Sequence, residues 1–249
     1  MHLNDLRAAV RRLRREPGFA ALFVAILAIA LGGTTAMFSL VNAVLLQPLP
    51  YGDAQRLVLV GHRHAERGEV FGAFSPPDYD DLVARSRSIE SAAAFFYWPG
   101  QSSLNAMVGE RPEQLEAASV TGGFFTTLGA QARLGRALLP ADDVPGNDVA
   151  VLSDRAWRTL FGGDAGIVGR DVTIQERPFR IVGVMPPEFD FPDARVQVWT
   201  PRSIIGEDAI PTRREVRWLD VVARLQPGVT QAAAAQEIDG IVAAIAAEH

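Results

Sequence analysis

The chain has 249 residues, a formal net charge of −5, no cysteine and no lysine, so all 24 of its basic residues are arginine. The absence of lysine excludes a Walker-type P-loop, Schiff-base chemistry and Ser–Lys hydrolysis on this chain, and the absence of thiols fits an oxidising compartment. The length allows one or two domains with their own cores, and the acidic balance beyond residue 16 gives no general reason to bind nucleic acid.

Residues 1–18 are predicted to form a cytoplasmic amphipathic leader helix. One helical face is apolar and consists of Leu3, Leu6, Val10 and Leu13. The basic residues around it are Arg7, Arg11, Arg12, Arg14 and Arg15. A short helix lying among lipid headgroups fits this pattern, because anionic membrane lipid attracts each cation by about 1 kcal/mol. The alternative is a basic flank that only sets the orientation of the next segment.

An uncharged stretch of 36 residues, 17–52, follows the leader, and its centre, Phe19–Leu31, has no polar side-chain atom. About 20 helical residues cross the hydrocarbon core of a bilayer, so we predict a transmembrane helix at 19–46. The leader arginines predict a cytoplasmic N-terminus and an extracytoplasmic body. Two alternatives are a signal peptide cleaved near Thr34–Ala36 and a buried helix of a soluble protein.

Small residues form a row along this predicted transmembrane helix. Ala28, Gly32 and Ala36 lie four residues apart, a spacing that lets another helix approach closely. We therefore predict that the helix packs on partner helices that lie outside these 249 residues. The alternative is that alanine and glycine occur here only because they are common in any membrane helix.

The body, residues 53–249, alternates irregularly between strand and helix patterns. Strands are predicted at Arg56–Gly61, Ile89–Trp98, Leu115–Thr121, Val149–Leu152, 171–175, 179–185 and Trp218–Leu225. Helices are predicted to start at the caps Ser75 and Ser153, to run from Gly122 to Gly129, and to run from Thr230 to Glu248. Residues 100–112 are expected to form turns, and 176–178 the turn of a hairpin. This order predicts an α+β fold.

Few side chains suggest a reactive site. His62 and His64 lack a third ligand, so solvated loop histidines are the preferred interpretation. The acidic loop with Asp142, Asp143 and Asp148 lacks the spacing of an EF-hand, and no Gly-x-Ser-x-Gly motif occurs. We predict a protein that is not an enzyme and has no catalytic residue, no cofactor and no metal site.

Two aromatic runs have a structural and a functional interpretation. The run Phe95–Trp98 is typical of core or interdomain packing, with a ligand-stacking patch as the alternative. Phe189 and Phe191 follow Pro186–Pro187, and they indicate either a tucked turn or an exposed contact loop.

A series of short motifs in the right order resembles one family. The motifs at the N-terminus are Leu13–Phe19, Ala28–Gly33 and Phe38–Tyr51. Those in the body include Ser75–Tyr79, Val120–Phe125, Phe161–Asp164, Ile181–Pro187 and Ala223–Thr230. Together they resemble MacB/FtsX-type ABC transporter permeases, and among these the chain is similar to the orphan permeases of the acidobacterial duplicated type.

The resemblance implies an inner-membrane permease with a periplasmic core domain made of Porter-like and Sabre-like parts, the latter expected within about 105–215. Family members dimerise or pair with a sister permease, work with a separate ABC ATPase by mechanotransmission, and in some cases recruit a periplasmic adaptor. Three further membrane helices and a coupling segment are expected after residue 249. The alternative function is a one-pass membrane-tethered binding or regulatory module that is not coupled to an ATPase.

Overall fold

The computed structural model describes residues 17–41, 51–63, 70–71, 74–204 and 213–249. It divides into two compact units, Met1–Leu49 and Pro50–His249. The described part of the first unit is one apolar helix, and the second unit is a mixed body of helices and strands.

The described elements are as follows. The helices are α1 (Pro17–Val41), α2 (Pro76–Arg85), α3 (Phe124–Leu128), α4 (Asp154–Phe161) and α5 (Gln231–Glu248). The strands are β1 (Leu57–Val60), β2 (His62–Arg63), β3 (Val70–Phe71), β4 (Ile89–Phe96), β5 (Ser103–Val108), β6 (Arg111–Val120), β7 (Leu134–Gly135), β8 (Val149–Leu152), β9 (Asp171–Ile174), β10 (Arg177–Val184), β11 (Val198–Pro201) and β12 (Asp220–Leu225).

Helix α1 contains a segment, Ala21–Phe38, that is long and apolar enough to cross a membrane. None of this segment is buried in the structure. Thr34 and Thr35 donate their hydroxyl protons to the carbonyls of Ala30 and Leu31 at 2.8 Å, which satisfies both groups within the helix. Residues 42–46 of the predicted span, and leader residues 1–16, lie outside the described residues.

One half of the body, here called the sheet lobe, is an antiparallel sheet with the order β1, β12, β4 and the end of β6. Helices α2 and α5 cover one face of it. The core beneath them contains Phe74, Leu82, Leu219, Val221 and Ile238. The side chain of Glu237 on α5 accepts hydrogen bonds from the backbone N–H groups of Arg87 and Ser88, which fastens α5 to the turn before β4.

The other half, here called the barrel lobe, is a closed ring of six strands in the order β5, β6, β11, β8, β10 and β9. Strand β5 closes the ring by pairing with both β6 and β9. The interior is filled by side chains, as expected of a small barrel. Its members include Leu115, Leu152, Ile174, Phe179, Ile181 and Val198. Strand β6 joins the lobes, because residues 111–116 pair with β5 and residues 119–120 pair with β4.

Local hydrogen bonds explain where several helices begin and end. The hydroxyl groups of Ser75, Ser153 and Thr230 accept hydrogen bonds from the backbone N–H three residues later, at the starts of α2, α4 and α5. Gly129 and Gly162 end α3 and α4 in the left-handed conformation that glycine adopts without strain. The predicted caps Ser75 and Ser153 are confirmed, and so is the α+β class.

Two sequence predictions in the body were wrong in detail, and one strand was missed. Residues 100–112 are not all turns, because they contain β5 and the first residues of β6. Pro112 is compatible with that strand because a proline lacks only its own N–H and can stand near a strand end. The hairpin turn lies at Gln175–Glu176 rather than 176–178, and both residues have positive φ, as a two-residue type I′ turn requires. Strand β11 was not predicted.

Candidate functional site

The small residues predicted to contact a partner lie on one face of α1. Ala28, Gly32 and Ala36 are all exposed in this structure. Four residues advance an α-helix by slightly more than one turn, so the three positions lie within an arc of about 80°. A Cβ atom added to Gly32 would meet nothing within 4 Å. The face is therefore open along the helix, while its role as a contact stays a prediction.

The predicted topology residues Arg7, Arg11, Arg12, Arg14 and Arg15 lie outside the described residues. The orientation of α1 consequently remains a prediction from charge alone. His64 also lies outside the described residues, so the interpretation of His62 and His64 as loop histidines stays a prediction.

The acidic loop is held by arginine and by backbone groups. Asp142 accepts hydrogen bonds from Arg136, from the N–H of Leu139 at 2.8 Å and from the amide of Asn147 at 3.3 Å. Burial by itself would raise the pKa of Asp142, but these hydrogen bonds and the charge of Arg136 outweigh it and lower the pKa. The carboxylate is thus held ionised by internal partners.

The other two acids of the loop bind different groups. Asp143 accepts from the N–H of Ser203 at 2.9 Å, and Asp148 pairs with Arg177. Within the described residues, no cluster of three or more histidines and carboxylates is arranged to hold a metal ion. The three acids therefore act there as separate structural anchors.

The two lobes meet in a large apolar cluster, here called the interlobe core. The sheet lobe contributes Ala93, Phe95 and Val222, α3 contributes Phe124, Phe125 and Leu128, the outer wall of the barrel contributes Val149, Val151 and Trp199, and the segment 185–197 contributes Met185, Phe189 and Val196. Trp199 is fully buried, with its ring centroid 5.9 Å from that of Phe125 and 5.3 Å from that of Phe189. Such edge-to-face contacts add to the stabilisation from burial.

The interlobe core decides between the interpretations of the aromatic runs. Phe95 is buried in it, whereas Trp98 at the end of the same run is 60% exposed. Tyr97 donates its hydroxyl proton to Glu116 at 3.1 Å. Burial is the main cause that raises the pKa of Tyr97 to about 12, and the hydrogen bond to the Glu116 carboxylate is the second. Phe189 is buried and Phe191 packs on Phe95 at 5.3 Å, so this run is a tucked turn.

A polar clamp on the barrel lobe was not predicted. Asp154, buried in the first turn of α4, accepts hydrogen bonds from Arg133 at 2.8 Å and from Arg158 at 2.6 Å. Both guanidinium groups lie 5.5 Å from the ring centroid of Trp157. The spacing Asp154–Arg158 is an i, i+4 signal that sequence inspection could have found. Arg133 is distant in sequence and gives no such signal.

Comparison with known proteins assigns this architecture to a family. A family model for the MacB-like periplasmic core domain matches residues 20–241. The macrolide export ATP-binding/permease protein MacB of Salmonella paratyphi A is 28% identical over 182 residues, which cover 69% of this chain. The match covers only 27% of that relative, so the chain spans about a quarter of its length.

Two solved structures share the fold. The periplasmic region of MacB from Actinobacillus actinomycetemcomitans superposes with a TM-score of 0.59 at 18% identity, covering 76% of this chain and 83% of that one. A domain assigned to a permease protein of Porphyromonas gingivalis gives a TM-score of 0.54 at 17% identity, with coverages of 80% and 84%. By the family match across most of its length, the chain belongs to the MacB-like periplasmic core domain family of MacB/FtsX-type ABC transporter permeases.

Proposed function

We propose that this chain is the membrane-anchored periplasmic part of a permease subunit in a MacB-like ABC export or mechanotransmission system, without catalytic activity of its own. The observation that carries the proposal is the combination of a MacB-like core domain with an unburied, uncharged helix in front of it. In this proposal α1 crosses the inner membrane, with the leader in the cytoplasm and the body in the periplasm. A separate ABC ATPase drives the full-length permease.

We assign the sheet lobe to the Porter-like part and the barrel lobe to the Sabre-like part. The barrel strands run from Ser103 to Pro201, close to the range of about 105–215 expected for the Sabre-like part, which supports this assignment. The sheet lobe contains β1 and β12 from the two ends of the body. The chain enters the body through this lobe at β1 and returns to it at β12. We therefore assign the sheet lobe to the membrane-proximal part.

The orientation of α1 can be tested by cysteine labelling, because the natural chain contains no cysteine. We would introduce Ala9→Cys in the leader and Glu110→Cys in the exposed turn between β5 and β6. In right-side-out spheroplasts, a membrane-impermeant maleimide should label the Glu110→Cys variant at once and the Ala9→Cys variant only after lysis. The reverse pattern, or labelling of both before lysis, would contradict the proposed topology.

The small-residue face of α1 is proposed to pack on a second copy or on a sister permease. Gly32→Leu should reduce co-purification of differently tagged copies about tenfold, because a large side chain separates the helix backbones. Gly33→Leu is a matched control, since it makes the same change one residue later and about 100° around the helix. If co-purification falls equally in both variants, or in neither, then Ala28, Gly32 and Ala36 do not form the contact.

Coupling to an ATPase separates the proposed function from a tethered binding module. The full-length protein, purified from native membranes in mild detergent, should carry an ABC ATPase subunit that mass spectrometry identifies. A periplasmic adaptor recovered with it would extend the same assignment. If cross-linked and uncross-linked preparations both lack an ATPase, the tethered module becomes the better account.

A further inference from the structure

The first described residues after α1 pack against the body and do not form a loose linker. Residues 51–56, here called the docking segment, run along the edge of the interlobe core. The ring of Tyr51 packs edge-to-face on Phe189 and Phe191, with centroids 5.8 and 6.3 Å apart. Burial, and then the carboxylate of Asp190, raise the pKa of Tyr51 to about 12. Its phenol therefore stays neutral at ordinary pH.

The backbone of the docking segment lies against the end of α3. A Cβ atom on Gly129 would stand 3.2 Å from the nitrogen of Gly52, and Gly129 already has a φ of +67°. A side chain at Gly129 would thus be strained and would displace the segment. Asp53 follows with φ 48° and ψ 50°, a left-handed conformation that is uncommon outside glycine and requires support from its surroundings.

Part of that support comes from the backbone N–H of Arg56, which donates to the carbonyl of Asp53 at 2.9 Å, and part comes from Arg224, which is only 6% exposed. Its Nε donates to the carbonyl of Thr127 at 2.9 Å, and its Nη1 donates to the carbonyl of Asp53 at 3.3 Å. One guanidinium group therefore joins β12, the C-terminal end of α3 and the docking segment. A cation at that helix end also faces the negative end of its dipole.

Arg224 has an unusual electrostatic position. Among the described residues it has no carboxylate within ion-pair distance, and its Nη2 is buried without a hydrogen-bond partner. A buried guanidinium group without a counter-ion is unfavourable for stability alone. By contrast, Arg56 on the same segment pairs with Glu90 and Asp53 and donates to the carbonyl of Leu225 at 2.8 Å.

We propose that Arg224 is a positioning residue that fixes the docking segment, so that the body is held at Asp53 and any displacement of the chain between α1 and Asp53 acts directly on the interlobe core. A displacement of the membrane helix is part of the proposed function, whereas the contact between residues 51–56 and the body does not depend on it. The guanidinium group suits this role because its planar donors reach two carbonyls of different elements at once.

The test is hydrogen–deuterium exchange on the full chain in detergent micelles, comparing Arg224→Met with the natural protein. Exchange at the amides of residues 53–57 should become about tenfold faster, since the hydrogen bond from Arg224 to the carbonyl of Asp53 and the guanidinium link from the segment to α3 are both lost. Amides of β9 and β10 should keep their rates. Arg180→Met is a matched control, because it removes an exposed arginine whose partner is Asp171 in the barrel lobe.

Unchanged exchange in residues 53–57 would overturn the proposal, and so would uniformly faster exchange across the body, which would make Arg224 an ordinary core residue. If Arg224→Met does not fold, Arg224→Lys is measured, which keeps the charge but reaches only one carbonyl. It should give an intermediate rate in residues 53–57, and a natural rate there would overturn the proposal. No ATPase is needed for this measurement, so failure of the proposed function would leave its outcome unaffected.

Discussion

The interlobe core predicts that the two lobes unfold together and that Trp199 is a main determinant of their stability. Trp199 is fully buried between Phe125 and Phe189, and its indole N–H donates to the carbonyl of Phe191 at 3.2 Å. Replacing a buried tryptophan by alanine costs about 3–5 kcal/mol. Because a body of this size has a free energy of unfolding of about 5–15 kcal/mol, Trp199→Ala should remove a large part of it.

The assay is differential scanning calorimetry of the full chain in detergent micelles. For a domain of about 200 residues, each kcal/mol shifts the Tm by about 2–4 °C, so Trp199→Ala should lower the Tm by roughly 10 °C. Trp98→Ala is the matched control, because it removes the same side chain where it is 60% exposed. Its effect should stay within about 0.5 kcal/mol.

Two results would refute this reasoning. If Trp199→Ala and Trp98→Ala have the same Tm, the interlobe core does not contribute the expected stability. If the natural body shows two separate transitions, the lobes do not form one cooperative unit, although β6 passes through both of them.

Two further predictions concern a close backbone approach and an ionised carboxylate. Gly122→Ala should destabilise the body by about 3 kcal/mol or more, because its Cβ would lie 2.3 Å from the carbonyl oxygen of Leu139. Thermal melting measures this change. In the control Gly240→Ala, the new Cβ lies in open space on α5, so the variant should be more stable by about 0.5–1 kcal/mol. Asp142→Asn should cost about 1–3 kcal/mol at neutral pH. Since the folded pKa of Asp142 is lowered below the usual value of about 3.9, its stabilisation is fully present above that value and is lost as the pH falls through the folded pKa. The stability difference between Asp142→Asn and the natural protein should therefore shrink below about pH 4 in denaturant titrations, and a difference independent of pH would contradict it.

Local patterns predicted much of the secondary structure. The uncharged stretch predicted α1, the caps Ser75 and Ser153 predicted the starts of α2 and α4, and the alanine-rich run after Thr230 predicted α5. These features depend on hydrogen bonds or hydrophobicity within a few residues, so a single sequence contains them. The ordered motifs predicted the family, which the match over residues 20–241 confirms. The partner-facing role of α1 and the orientation set by the leader stay predictions.

The sequence by itself thus determined a charge-free helix, an α+β body and the ends of its helices. Only the tertiary structure decided that β5 closes a barrel, that Trp199 and Phe95 meet in one core, and that Arg224 holds Asp53. Each of these contacts joins residues far apart in the chain, and its free energy depends on burial and alignment that no local pattern specifies. Arg224 illustrates the limit, because an arginine in a strand gives no sign that a carbonyl 171 positions away will be its acceptor.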